Sequence, residues 1–205
     1  LLASSGSFVT TKALDMFSEP LNKMKMAWIT TASKGVDDLS YLKKHRQKMD
    51  ELGFNYQEID IEGKNKEELE EMLKDKEVIH VEGGNTFYLL KCVRESGFDK
   101  VVKDLIDKGI PYIGTSAGSY ICCPTIEMAT WKHKDEYDRY GIIDYTGLNL
   151  VPFLMFVHYV SEYREILKEK ISETKYPVKI LNDDQAIFVR GESVELVGED
   201  SEIIL

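Results

Sequence analysis

The sequence predicts an α/β fold with a mostly parallel sheet covered on both faces. Three observations carry this. Strand-like apolar runs alternate with amphipathic helix patterns through the first three-fifths of the 205 residues, as βαβ units require. No internal repeat, low-complexity tract or Pro/Gly linker interrupts them, so residues 1–205 are expected to form one domain. Finally, two glycine-bearing turns, VEGGNTF (81–87) and GTSAG (114–118), each follow a predicted strand. Open α/β sheets bind ligands outside the carboxyl ends of their strands.

Taken in order, LLASSGSF reads as the tail of a first strand, with a few residues expected ahead of it. KMAWITTAS (25–33) is a strand, and DLSYLKKHRQKMDELG (38–53) a helix closed by glycine. NYQEIDI alternates apolar and polar residues and reads as a strand. KEELEEMLKD is a helix with a polar face, and EVIHV (77–81) a short buried strand. Helices follow over 86–95 and 98–108, then the strand PYIGT (111–115). Beyond Ser116 the pattern loosens. WKHKDEYDRYGIIDYTG (131–147) has weak periodicity and is expected to be a loop region near the site. A helix returns over 161–174, followed by the strand VKILND and a hairpin, QAIFVRGESVELVG, turning at Arg190-Gly191-Glu192.

Composition excludes several function classes. Hydrophobic residues make up 43% and charged residues 30%, ordinary for a globular chain. The net charge of −10 comes from 26 basic and 36 acidic residues, interspersed rather than clustered. A nucleic-acid binder needs a concentrated basic face, so none is expected as a partner. No apolar run approaches the ~20 residues of a membrane span, and no signal peptide is visible. Cys92, Cys122 and Cys123 form no CxxC pair. They read as small apolar residues in a reducing cytoplasm. No pair of His, Cys, Asp or Glu shows ligand spacing, so no metal or organic cofactor is expected.

Gly114-Thr115-Ser116-Ala117-Gly118 fits G-x-S-x-G. A sharp strand-to-helix turn forces such a serine into a strained conformation with its hydroxyl exposed, and only small neighbours fit. The Ala117 N–H would then face a developing oxyanion, helped by the positive end of the following helix. Gly83-Gly84-Asn85 lets backbone approach a substrate and offers a second donor from Gly84; Asn85 could equally cap the helix beginning at Thr86. Of four histidines, His45 lies in a charged helix and is expected to face solvent. His80 lies in an apolar strand, and His133 in the polar loop. His158 ends an apolar run, where a strand end would bring it to Ser116 as a base.

IHVEGGNTFYLL, then 31 residues from Asn85 to the serine of YIGTSAGSYICCPTI, then GLNLVPFLMFVHYV together resemble the peptidase E family. These are serine dipeptidases that release N-terminal aspartate and are relatives of cyanophycinase. The resemblance extends over most of the chain. It implies a three-layer αβα sandwich of the class I glutamine amidotransferase type, with serine in place of the amidotransferase cysteine. By matching motifs it makes Ser116 the nucleophile, His158 the base, and Gly84 with Ala117 the oxyanion hole. Asn85 falls in the substrate-binding turn. An α/β-hydrolase esterase shares G-x-S-x-G but places its histidine near the C-terminus, whereas here no histidine follows His158.

One departure concerns the third catalytic residue. Trp131 stands where family members carry an acid, usually aspartate, and Lys134 stands nearest the glutamate of cyanophycinase-like members. Asp135 is the first candidate at a shifted register, with Glu136 and Asp138 as alternatives and Glu127 and Asp144 behind them. The orienting acid fixes the histidine tautomer, and its loss can cost ~10⁴ in rate. The family's aspartate-recognising arginine is matched by Arg164, after a shortening of about seven residues beyond His158 where loops tolerate change; an exposed helix arginine is the other reading. The chain is therefore expected to be a cytoplasmic serine peptidase acting on small peptides, without nucleic-acid or membrane partners, and with a homodimer left open. A weakened or purely binding protein on the same scaffold, or a hydrolase of other amides or esters, are the alternatives.

Overall fold

The structure, a computed structural model, describes residues 1–132, 138–199 and 201–205. In chain order it runs β1 (Leu2–Ala3), α1 (Gly6–Thr11), β2 (Met26–Ile29), α2 (Ser40–Glu51), β3 (Tyr56–Ile59), α3 (Lys66–Leu73) and β4 (Val78–Val81). Next come α4 (Thr86–Ser96), α5 (Phe98–Asp107), β5 (Tyr112–Thr115), α6 (Ala117–Tyr120), β6 (Leu154–Phe156), α7 (Arg164–Glu173), β7 (Val178–Ile180), β8 (Gln185–Arg190) and β9 (Ser193–Gly198).

Seven strands form one sheet in the order β3-β2-β4-β5-β1-β8-β9. The first five are parallel to one another, and the β8–β9 hairpin adds an antiparallel edge. The central strands are buried on both faces, which is why they read as unbroken apolar runs. Alternation still sorts their side chains. Met26, Trp28, Val78 and Ile113 join a core with Phe8 and Val9 of α1 and Leu42 and Met49 of α2. Ala27, Ile29, Ile79, Val81 and Tyr112 join the opposite core, with Leu69 and Leu73 of α3, Leu89 and Val93 of α4, and Val101 and Val102 of α5. Two cores on two faces of one sheet make the three-layer αβα sandwich expected from the sequence.

Local signals place the elements. Asn65 and Glu68 form a capping box at the start of α3, and Gly97, at φ 73°, lets α4 turn directly into α5. The segment carrying His158 lies apart from the main sheet. β6 stays out of the main sheet and pairs in parallel with β7 as a separate two-stranded unit.

Candidate active site

Both glycine-bearing turns lie side by side at the carboxyl ends of β4 and β5. Ser116 adopts φ 49°, ψ −109°, the only residue between the last of β5 and the first of α6. A positive φ is costly for a residue with a Cβ, and it persists only where its surroundings fix it. They do so here through hydrogen bonds: Ser116 N–H donates to the Ala3 carbonyl at 3.2 Å, and the Ser116 carbonyl accepts from the N–H groups of Ser119 and Tyr120, each at 2.9 Å. The flanking glycines allow the close approach. A Cβ on Gly118 would lie 2.1 Å from the Val81 carbonyl oxygen, and one on Gly114 would lie 2.6 Å from that of Gly118.

Gly83 packs against the same serine, since a Cβ there would sit 3.0 Å from that of Ser116. Gly84 follows at φ +144°, pressed onto the Ala32 backbone. The Gly84 and Ala117 N–H groups have no acceptor among the described residues.

The histidine arrives on the two-stranded unit. Leu181 N–H donates to the Phe156 carbonyl at 2.8 Å, and Tyr159 N–H to that of Leu181 at 3.0 Å, so the ends of β6 and β7 travel together. His158 and Asp183 lie just beyond those ends. His158 Nε2 is 3.0 Å from Ser116 Oγ, and Nδ1 is 2.5 Å from Asp183 Oδ1. His158, too, has a positive φ, 56°. Ser4, just after β1, binds both partners: its hydroxyl accepts from the His158 N–H at 2.8 Å and donates to Asp183 Oδ1 at 3.0 Å. The hydrogen bond from His158 holds the Asp183 carboxyl below the ordinary carboxylate range. Partial burial works against this, while attraction to His158 and the Ser4 hydrogen bond reinforce it.

The carboxylate on His158 is thus Asp183. Asp135 and Glu136, like His133, lie outside the described residues. Asp138 turns elsewhere: its carboxylate accepts from the Tyr140 N–H and its carbonyl from Asn85 Nδ2. Glu127 accepts from Thr174, and Asp144 from Thr146. Asn85 is buried and committed to the scaffold, because Oδ1 caps α4 through the Phe87 and Tyr88 N–H groups. Arg164 opens α7 on the exposed surface and makes no hydrogen bond or ion pair among the described residues. His45, expected to face solvent, is instead buried against Glu82 at 2.5 Å. Leu42, His45 and Met49 form the inward stripe of α2, and that spacing was visible in the sequence.

Further ionisable side chains flank the site. Lys132 donates to the Val157 carbonyl and, at 3.3 Å, to that of His158, with its ammonium over the Phe156 and Tyr163 rings. Burial, only partly offset by Asp183, pulls its pKa down to about 8. Behind the serine, His45, His80 and Glu82 each bring a ligand-type atom within 4.8 Å of the others. Each oxygen of Glu82 already has hydrogen-bonding partners within the protein. No helix among the described residues is long and apolar enough to cross a membrane.

A serine raised on such an elbow, with a histidine on its hydroxyl and a carboxylate on the far nitrogen, marks a serine hydrolase. Relatives narrow the class. The family model of Peptidase family S51 matches residues 1–197, and the chain belongs to that family as a serine-type peptidase. It is 33% identical over 196 residues to an uncharacterized peptidase of Pasteurella multocida, covering 94% of this chain and 93% of the other. It is 31% identical over 185 residues to a peptidase E of a Nostoc species, covering 88% of this chain and 72% of the other. The crystal structure of a candidate peptidase E protein from Listeria monocytogenes superposes with a TM-score of 0.84 at 30% identity, covering 97% of each chain. The architecture is the class I glutamine amidotransferase-like sandwich.

Proposed function

We propose that the chain hydrolyses short peptides through an acyl-enzyme formed on Ser116. With its proton on Nδ1 and held there by Asp183, His158 presents Nε2 to the serine hydroxyl and takes its proton as Oγ attacks the peptide carbonyl. The Gly84 and Ala117 N–H groups receive the developing oxyanion. His158 then returns the proton to the leaving amine, and water, activated by the same imidazole, releases the acid product. Asp183 stabilises the imidazolium throughout and stays ionised, in keeping with its lowered pKa. The observation that carries the reading is the continuous line from Ser116 Oγ through His158 to Asp183, at 3.0 and 2.5 Å, on a serine held at φ 49°.

For specificity, we infer a preference for N-terminal aspartate from the resemblance to peptidase E. Arg164, an exposed cation without an ion pair among the described residues, is the side chain proposed to meet the aspartate carboxylate. Arginine offers two parallel N–H donors to a carboxylate, which suits that task. The test is hydrolysis of Asp-Leu beside Glu-Leu, Ala-Leu and Asn-Leu by the wild type and by Ser116→Ala. Aspartyl-selective cleavage lost in the variant is the expected result. Cleavage of all four at similar rates would remove the aspartate assignment and leave the peptidase. No cleavage of any, with Ser116 still labelled by a fluorophosphonate, would point to another acyl substrate.

A further inference from the structure

Glu82 is an ionisable side chain that the proposed chemistry leaves unused, yet it lies just behind the nucleophile. It follows β4 and is 2% exposed. A carboxylate so buried is unfavourable unless its oxygens are hydrogen-bonded, and both are. Their partners differ in kind. Oε1 accepts from the Gly83 N–H at 2.9 Å and from the Thr115 hydroxyl at 2.7 Å. Oε2 accepts from the Trp28 indole N–H at 3.0 Å and meets His45 Nδ1 at 2.5 Å. Gly83 immediately precedes Gly84, and Thr115 immediately precedes Ser116. One oxygen therefore ties together the two turns that hold the oxyanion donors and the nucleophile, while the other is anchored in the core beneath α2.

The effect of this tie on the 83–84 turn follows from peptide geometry. Two consecutive glycines form a very permissive segment, in which a peptide flip costs little by itself. Here the Gly83 N–H is turned inward to Glu82, and the Gly83 carbonyl accepts from the Tyr41 hydroxyl at 3.0 Å. In a planar trans peptide the N–H points opposite to the C=O, so anchoring the Gly83 carbonyl directs the Gly84 N–H the other way. Burial pushes the Glu82 carboxyl upward, but its electrostatic and hydrogen-bonding partners, His45 first and the Gly83 N–H among them, outweigh burial and hold it below the ordinary carboxylate range.

We propose that Glu82 is a positioning residue: through Oε1 it selects Gly84 rather than Gly83 as the oxyanion donor and fixes that donor in register with the Ser116 elbow. This rests on the serine-hydrolase reading above. Oxyanion donors contribute only when held close to the position the charge will occupy, and slack in the turn lowers the rate of attack more than the affinity for what is bound.

The division of labour between the two oxygens supplies the test. Thr115→Val removes an Oε1 donor with little change of shape. Trp28→Phe removes an Oε2 donor on the far side. Glu82→Gln keeps an acceptor for the turns, and Glu82→Met keeps none. The readout is phosphonylation of Ser116 by a fluorophosphonate, resolved into its limiting rate and its half-saturating concentration, with the thermal midpoint measured alongside. Thr115→Val is expected to lower the limiting rate about tenfold with half-saturation within about twofold, as a weakened version of losing an oxyanion donor outright. Trp28→Phe is expected to lower the thermal midpoint while leaving the limiting rate within about twofold, and Glu82→Gln to react faster than Glu82→Met. If Glu82→Met does not fold, the Thr115 and Trp28 pair still decides. Rates for Thr115→Val equal to wild type, or rates that fall in step with the thermal midpoint in both variants, would overturn the inference alone. A wild type not labelled at Ser116 would overturn the hydrolase reading, and this inference with it.

Discussion

Ser116 and the Gly83-Gly84 turn sit in the packed end of the sheet, whereas His158 and Asp183 hang in loops, with side chains 42% and 59% exposed. The inner half is held by backbone: glycines against carbonyls, a serine between a strand and a helix, and a buried carboxylate between two turns. The outer half is held by side chains contributed from four separate places, the segments just after β1, β6 and β7 and Lys132. This contrast implies that damage to the inner half can reach the fold as well as the chemistry, while damage to the outer half reaches the chemistry first.

The largest effect expected from the outer half is that of Asp183→Asn. An asparagine there offers an N–H to Nδ1 and favours the wrong imidazole tautomer, so kcat should fall by about 10²–10⁴. The thermal midpoint should hardly move, because the side chain is largely exposed. Steady-state kinetics beside a thermal melt checks both. A loss of less than about threefold would mean that another carboxylate orients His158 in solution, and Asp135 and Glu136 would then return as candidates.

Gly118→Ala attacks the inner half. The added methyl would lie 2.1 Å from the Val81 carbonyl oxygen, a backbone atom that cannot swing aside. The start of α6 must move off β4 and carry Ser116 with it. Overpacking of this kind costs about 1–3 kcal/mol, so the midpoint and the activity should fall together. Activity lost without any change in stability would show that the elbow is softer than its contacts imply.

How much of this was legible in the sequence follows the same division. The βαβ alternation, both glycine turns and Ser116 are local signals, and they lie where the sequence places them. His158 was found because it ends an apolar run. Asp183 was not, although it closes the predicted strand VKILND and so falls at the right end of a strand. What makes it a partner is the pairing of β6 with β7, and no local pattern encodes which strands pair outside the main sheet. Ser4 escaped for the same reason. Asn85 carried two readings in the sequence, and the helix-cap one is visible in the structure, where Oδ1 accepts from the Phe87 and Tyr88 N–H groups. His45 was masked by the charges around it on α2.

Ser4→Ala tests the support beneath the outer half. It leaves the Ser116–His158–Asp183 line intact and removes one acceptor from the His158 N–H and one donor from Asp183. A loss of about tenfold in kcat/KM is expected, equivalent to one hydrogen bond of about 1–1.5 kcal/mol. Ser5→Ala is the matched control, because the Ser5 hydroxyl bonds the Asp183 carbonyl and the Ser7 hydroxyl but neither the Asp183 carboxylate nor His158. Equal losses from the two would mean that the loop as a whole, rather than the Ser4 hydroxyl, positions the carboxylate.

The smallest effect expected concerns stability and comes from Lys132. Its pKa is about 8 in the folded chain against 10.5 for a free lysine. Between those values the folded state binds fewer protons than the unfolded one, so the contribution of Lys132 to stability rises with pH across that window and is flat below it. Raised thiol pKa values at Cys92 and Cys122 act in the opposite sense over the same range, so the total curve is not diagnostic. The difference between wild type and Lys132→Met isolates the lysine. That difference should shift in favour of the wild type from about pH 8 to 10.5, by on the order of 1 kcal/mol given partial exposure. Denaturant midpoints at four or five pH values would measure it. Parallel curves would mean that the ammonium reaches water and that the outer half lacks a buried anchor. A difference that moves toward the wild type across that window would show a desolvated cation holding the Val157 and His158 carbonyls, which gives the exposed half of the site one fixed point of its own.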